Sequence, residues 1–111
     1  MRAEALKGHL DGLLLATLED GPLHGYAVVQ RLRERTRGVV DVPSGTLYPA
    51  LRRLERLGLI GGRWSTVGGR RRRTYELTGA GRRALDGERR SWRTFASAVD
   101  RLLGPPEPVP R

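Results

Sequence analysis

Four consecutive arginines, Arg70, Arg71, Arg72 and Arg73, follow the pair Gly68-Gly69. Upstream, Arg52 and Arg56 lie one helical turn apart, with Tyr48 a further turn before them. A guanidinium pairs bidentately with phosphate oxygens or with the O6/N7 edge of guanine, and a tyrosine hydroxyl bonds either. This is the chemistry of polyanion recognition. Catalysis has no comparable support: the chain has neither paired carboxylates, a nucleophile–base pair nor a phosphate-binding loop. With no cysteine, disulfides, thiol nucleophiles and most structural zinc sites are excluded, and no metal or cofactor is expected. Of the two histidines, His24 reads as a cap or turn residue and His9 as surface.

The composition points the same way. Across 111 residues, 21 Lys and Arg stand against 12 Asp and Glu, a net charge of +9, so nucleic acid leads and an anionic membrane surface follows. All the basic residues except Lys7 are arginines, although an arginine-biased genome produces the same count. No apolar run approaches the ~18 residues of a membrane span. The N-terminus, interrupted by Glu4 and Asp11, does not read as a signal peptide, so a soluble cytoplasmic protein is expected. A chain this short builds a thin core, which makes oligomerisation a plausible source of stability.

The elements that must position these residues follow from periodicity. Leu6, Leu10, Leu13, Leu14 and Leu18 define one face of a first helix, ended by "EDGP" at 19–22. A second helix over "GYAVVQRLRER" carries Tyr26, Val29 and Leu32 on one stripe, widened by Val28, and ends at Gly38. "VVDVP" at 39–43 is extended, and a third helix begins after Pro43, with Ser44 or Thr46 as its cap. Leu47, Leu51, Leu54 and Leu57 form its buried stripe; Gly45, Pro49, Arg52 and Arg56 point the other way, and Tyr48 lies on the flank. Pro49 is expected in the first turn, where its missing N–H has no intrahelical acceptor.

Residues 59–77 read as a β-hairpin around "VGGR", the arginines occupying its tip and returning strand. Thr78 caps a last helix, in which Leu85, Trp92 and Val99 repeat every seven residues with Phe95 and Leu102 between them. Glycines at 79, 81 and 87 weaken its first turns, so packing must hold that end. The expected fold is mainly α with a small β-hairpin wing: a winged helix-turn-helix over residues 1–77, a dimerisation helix over 78–103 and a disordered tail over 104–111.

Three segments, "PLHGYAVVQRL" at 22–32, "SGTLYPALRRLERLGLI" at 44–60 and "RRRRTYELTGAG" at 70–81, resemble in order and spacing the signatures of PadR-like transcriptional regulators. With the helices between them, the resemblance covers about residues 8–103. It implies a homodimeric repressor of a palindromic operator, released by a small-molecule or stress signal. It also implies dimerisation through the last helix packed with the first, involving Leu6, Leu10, Leu85, Trp92, Phe95, Val99, Leu102 and Leu103. The residues agree, because Trp92, Phe95, Val99, Leu102 and Leu103 on a lone helix expose a large apolar patch.

The expected DNA contacts are Ser44, Gly45 and Thr46 at the N-terminal end of the third helix, then Tyr48, Arg52, Arg56 and the wing arginines 70–73. Arg52, nearer the inserted end, is the candidate for guanine; Arg56 meets phosphate or water. The resemblance supports Tyr48 as a DNA contact, against the alternative that its ring packs on the hairpin. Alternate hairpin residues face opposite sides, so two of the four arginines reach DNA together, in a pair that spacing leaves open. Arg53 is equally a solvated charge and is left out of the site. Trp92 is either an interface aromatic or, by the resemblance, an effector contact that stacks a flat ligand. Competing readings are an effector-independent or architectural DNA-binding protein and an RNA-binding protein.

Overall fold

The computed structural model describes residues 8–104. Helix α1 spans Leu10–Thr17, strand β1 Leu23–His24, α2 Gly25–Arg35, α3 Ser44–Arg56, β2 Ile60–Val67, β3 Arg70–Leu77 and α4 Gly79–Leu103. Leu14, Leu15, Leu18, Val28, Leu32, Leu47, Leu51, Leu54 and Ile60 are buried in one core between α1, α2, α3 and the sheet. Each such side chain contributes about 1.5–3 kcal/mol of burial free energy, enough in sum to order three short helices whose own propensities are modest. Leu6 lies outside the described residues, as does the tail from residue 105 onward.

The connection between α2 and α3 is tightly bonded, which sets the angle at which α3 is presented. Thr36 donates its hydroxyl to the Leu32 carbonyl at 2.6 Å and accepts the Val40 N–H at 2.9 Å, while Arg33 pairs with Asp41 at 2.8 Å. The 39–43 segment forms no strand; Val40 and Val42 anchor it by burying their side chains. Tyr26, expected on the apolar stripe of α2, is exposed, because the buried face of that helix runs through Gly25, Val28, Val29 and Leu32.

Helix α3 carries the expected leucine stripe with one correction. Leu47, Leu51 and Leu54 are buried, but Leu57 is the C-cap residue, past the last helical turn, and is exposed. Its cap at the other end is Pro43, not Ser44 or Thr46, and no side chain bonds there; the Pro43 carbonyl accepts from Thr46 and Leu47 N–H instead, at 3.0 and 2.9 Å. Pro49 therefore falls in the second turn. It removes the donor that would have faced the Gly45 carbonyl, at a position where both residues are exposed to solvent.

The hairpin turns on Gly68 and Gly69, both at positive φ (56° and 76°), the two-residue geometry that matches strand twist. The sheet has three strands in the order β1-β3-β2, all antiparallel; β1, unforeseen by the hydrophobic pattern, adds Leu23 opposite Tyr75 and His24 opposite Thr74. Thr78 caps α4 as expected, accepting the Gly81 N–H at 3.0 Å. A Cβ on buried Gly81 would stand 1.9 Å from the Leu59 carbonyl oxygen, so the residue that weakens the helix is the one that lets it dock.

Helix α4 leaves the fold as it proceeds. Leu85, expected on the dimer seam, is only 3% exposed and belongs to the chain's own core, so it is removed from that seam. The Arg89 guanidinium pairs with both Glu19 carboxylate oxygens at 2.6 and 2.7 Å. This hydrogen bond, together with the opposite charge of each partner, holds the Glu19 carboxyl below its ordinary value and raises the pKa of Arg89, against an opposing effect of desolvation. Beyond Arg89 the apolar residues point outward.

Candidate nucleic-acid interface

Helix α3 and the β2–β3 hairpin flank an open cleft of about 910 Å³, lined by Tyr48, Arg52, Glu55, Trp64, Tyr75 and all four arginines of β3, with His24, Gly25 and Tyr26 closing one end. Tyr48 and Arg52 of α3 thus meet the four wing arginines at one surface, whereas Ser44, Gly45, Thr46 and Arg56 lie outside its lining. Gly45, Tyr48, Arg52 and Arg56 are exposed on α3, as is Ser44; Thr46 is half-buried. Arg53 pairs with Asp11 of α1 and is not part of the cleft lining.

Tyr48 leans on the start of α2 and shares the cleft lining with Tyr75 of the hairpin. A Cβ on Gly25 would lie 2.7 Å from Tyr48 Cε1 and 3.0 Å from its hydroxyl, so the ring covers the bare Cα that begins α2. At 40% exposure the ring is both packed and accessible. Packing of this residue and a DNA contact are compatible, because Gly25 positions the ring while 40% of the residue stays exposed.

The hairpin register sorts the four arginines. Trp64 pairs with Arg73, Ser65 with Arg72, Thr66 with Arg71 and Val67 with Arg70, so Arg71 and Arg73 share the Trp64 face, and Arg70 and Arg72 share the other. The Arg71 and Arg73 guanidinium carbons lie 4.8 and 5.5 Å from the Trp64 ring centroid. Arg73 also donates to both carboxylate oxygens of Glu55 on α3, at 2.9 and 2.8 Å, a hydrogen bond that raises its pKa. Arg72 reaches His24 of β1, Nη1 to Nε2 at 2.8 Å. Desolvation by burial pushes the Tyr75 phenol above its ordinary value of 10.0, so the cleft floor carries no negative charge from this group at neutral pH.

Sequence reasoning missed Glu55, Trp64, Tyr75 and the contact made by His24. Counting back from the Gly-Gly turn would have set Trp64 opposite Arg73. Glu55 gives no such signal, because its partner is brought to it only by the docking of the hairpin on α3.

The other expected surface also takes shape. Trp92 and Phe95 are 54% and 55% exposed, their ring centroids 6.0 Å apart; Leu102 and Leu103 are almost fully exposed, and Leu10 and Val99 are half-buried. His9 meets Trp92 edge-on at 5.4 Å, and a cleft of about 270 Å³ between α1 and α4 includes Leu13, Ala16, Leu85 and Trp92 in its lining. Among the described residues, no cluster of three or more His, Asp or Glu could hold a metal ion, and no helix is long and apolar enough to cross a membrane.

Residues 14–87 match the transcriptional regulator PadR-like family. The chain is 42% identical over 80 residues to the transcriptional regulator Rv3488 of Mycobacterium tuberculosis, covering 72% of each protein. It is similar in structure to a PadR family transcriptional regulator from Eggerthella lenta, with TM-score 0.78 and 34% identity, covering 90% of this chain and 86% of that one. A PadR-like regulator from Bacillus cereus superposes with TM-score 0.79 at 28% identity, covering 94% of this chain and all of the other. Family model, relatives and fold agree with the cationic cleft: the chain belongs to the PadR-like family of transcriptional regulators and is a DNA-binding regulator.

Proposed function

We propose that the chain is a homodimeric repressor in which each protomer inserts the N-terminal end of α3 into the major groove of one half of an inverted-repeat operator. The observation that carries this reading is the cleft between α3 and the wing, where, among the described residues, exposed Arg52, Arg70 and Arg71 have no carboxylate partner while six other arginines are ion-paired. Arg52 reads a guanine edge, Gly45 and Thr46 permit close approach, Tyr48 gives its hydroxyl to phosphate or base, and the wing tip neutralises flanking phosphates. Arg56, further from the inserted end, meets phosphate.

The dimer rests on the outer half of α4, whose exposed Trp92, Phe95, Leu102 and Leu103 need a cover that a second copy of the same helix supplies. Two-fold symmetry then makes the operator an inverted repeat. Release by a small molecule or stress signal is the remaining part of the proposal, and the cleft beside Trp92, between α1 and α4, is where a flat ligand would act on the dimer. Genome-wide footprinting with and without the chain, combined with transcript levels, tests this function. The expected result is a small set of inverted repeats whose adjacent genes rise when the chain is removed. Bound genes that fall on removal, or binding without a shared sequence, would overturn the repressor reading.

A further inference from the structure

We propose that Glu55 is a positioning residue that withholds Arg73 from DNA and locks the wing to the recognition helix, leaving Arg70 and Arg71 as the wing cations that meet phosphate. Three independent features carry this. Glu55 stands on α3 and Arg73 on β3, and both carboxylate oxygens lie within 2.9 Å of one guanidinium nitrogen, which makes the pair a direct tie between the two DNA-facing elements. The tie crosses β2 at Gly62, where a Cβ would stand 2.1 Å from Glu55 Oε1 and 2.8 Å from Arg73 Nε. Trp64 then caps the Arg73 guanidinium with its ring, and Arg71 continues over the same ring toward the wing tip.

The consequence is a division of labour among four adjacent arginines. Arg73 is held on a carboxylate and is about two-thirds buried, so its charge is already neutralised locally. Arg72 is engaged by His24. Arg72 keeps its charge, but its guanidinium is held at β1, whereas Arg70 and Arg71 are exposed with no carboxylate among the described residues and bring freely placed charge to the backbone. A wing free to swing would let its arginines find phosphates on any duplex. A wing fixed to α3 brings them to phosphate only in the register that α3 selects, and converts a sequence-independent attraction into part of the discrimination.

The inference rests on the reading that DNA lies across the α3–wing cleft, and the test separates the two. Affinities of the full chain for a footprinted inverted-repeat duplex and for a scrambled duplex are measured across salt, for the parent and for Arg71→Gln, Glu55→Gln, Gly62→Ala and Arg73→Gln, with thermal unfolding of each. Loss of a phosphate contact lowers the slope of log K against log salt by about 0.9 per protomer. Arg71→Gln showing that loss supports the cleft reading; Arg71→Gln with an unchanged slope overturns it. Glu55→Gln and Gly62→Ala each release Arg73, so both are expected to steepen the slope on scrambled DNA by about 0.9 per protomer and to cut the cognate-to-scrambled ratio by about tenfold. Arg73→Gln is expected to cut that ratio with the slope unchanged. A folded Glu55→Gln and Gly62→Ala with parental slope and ratio, or an Arg73→Gln slope as shallow as that of Arg71→Gln, would overturn the role of Glu55 while leaving the cleft reading intact.

Discussion

The cleft beside α3 and the outer half of α4 are both incomplete surfaces, but of opposite kinds. In the cleft exposed arginines stand beside rings that the chain already contacts: Leu47, Leu51 and Leu54 beneath them are buried, the Tyr48 ring is laid on Gly25, and Trp64, although 56% exposed, lies against the Arg71 and Arg73 guanidinium groups. Along α4 the first half is closed by Leu85 and the Arg89–Glu19 pair, whereas the second half presents Trp92, Phe95, Leu102 and Leu103 to solvent. Exposed charge costs little in water and waits for a polyanion; exposed apolar area is unfavourable until another apolar surface covers it. One chain therefore displays two needs, and satisfying the second by the proposed dimerisation would double and orient the means of satisfying the first.

The contrast can be broken most severely from the apolar end. Phe95→Asp removes the cover-seeking face without touching the cleft, so it is expected to leave a folded monomer by sedimentation. Its operator affinity should fall by about 100- to 10,000-fold, because two linked half-sites become one. A dimer with parental affinity would show that α4 is not the seam. Leu85→Ala, on the same helix but inside the core, should instead cost about 2–5 kcal/mol of folding stability by chemical denaturation. The two variants, ten residues apart, distinguish the half of α4 that builds the fold from the half that awaits a partner.

At the charged end the expected losses are smaller and specific. Arg52→Ala should cost about 1–3 kcal/mol of operator affinity and relax preference at one base position, read by binding to a set of singly substituted operators. Uniform weakening on every duplex would reassign Arg52 to phosphate. The smallest effect concerns the tie that fixes the base of α4. Because the Glu19 carboxyl is held below its unfolded value near 4.5, its contribution is present above that pH and is lost as pH falls through the lower folded value. Melting temperature should therefore decline on acidification in the parent, and Arg89→Gln should remove that part of the decline; an identical pH profile for the variant would dissociate the pair from stability.

Much of this arrangement was legible in the order of residues. The leucine periodicity located α3, the Gly-Gly pair located the hairpin turn and Thr78 located the start of α4, because each depends on contacts within a few residues. Errors arose where an element ends or where distant segments meet. Leu57 keeps the helical spacing but sits at the cap, and Leu85 keeps the heptad spacing but is claimed by the core before a partner can reach it. The arginine run could be assigned to the wing as a block, yet its division between Glu55, His24 and the open cleft depends on how the hairpin docks. Periodicity reports which face is apolar; it does not report which surface reaches that face first.

Sequence-selective binding of a dimer through the cleft is tested most directly by the equilibrium affinity of the full chain for a footprinted inverted repeat and for a scrambled duplex of equal length, titrated from low to physiological salt. Two chains per duplex are expected, with affinity that falls steeply with salt on both duplexes and a preference for the inverted repeat of about 1,000-fold or more at physiological salt. Equal affinity for the two duplexes at every salt concentration would contradict it.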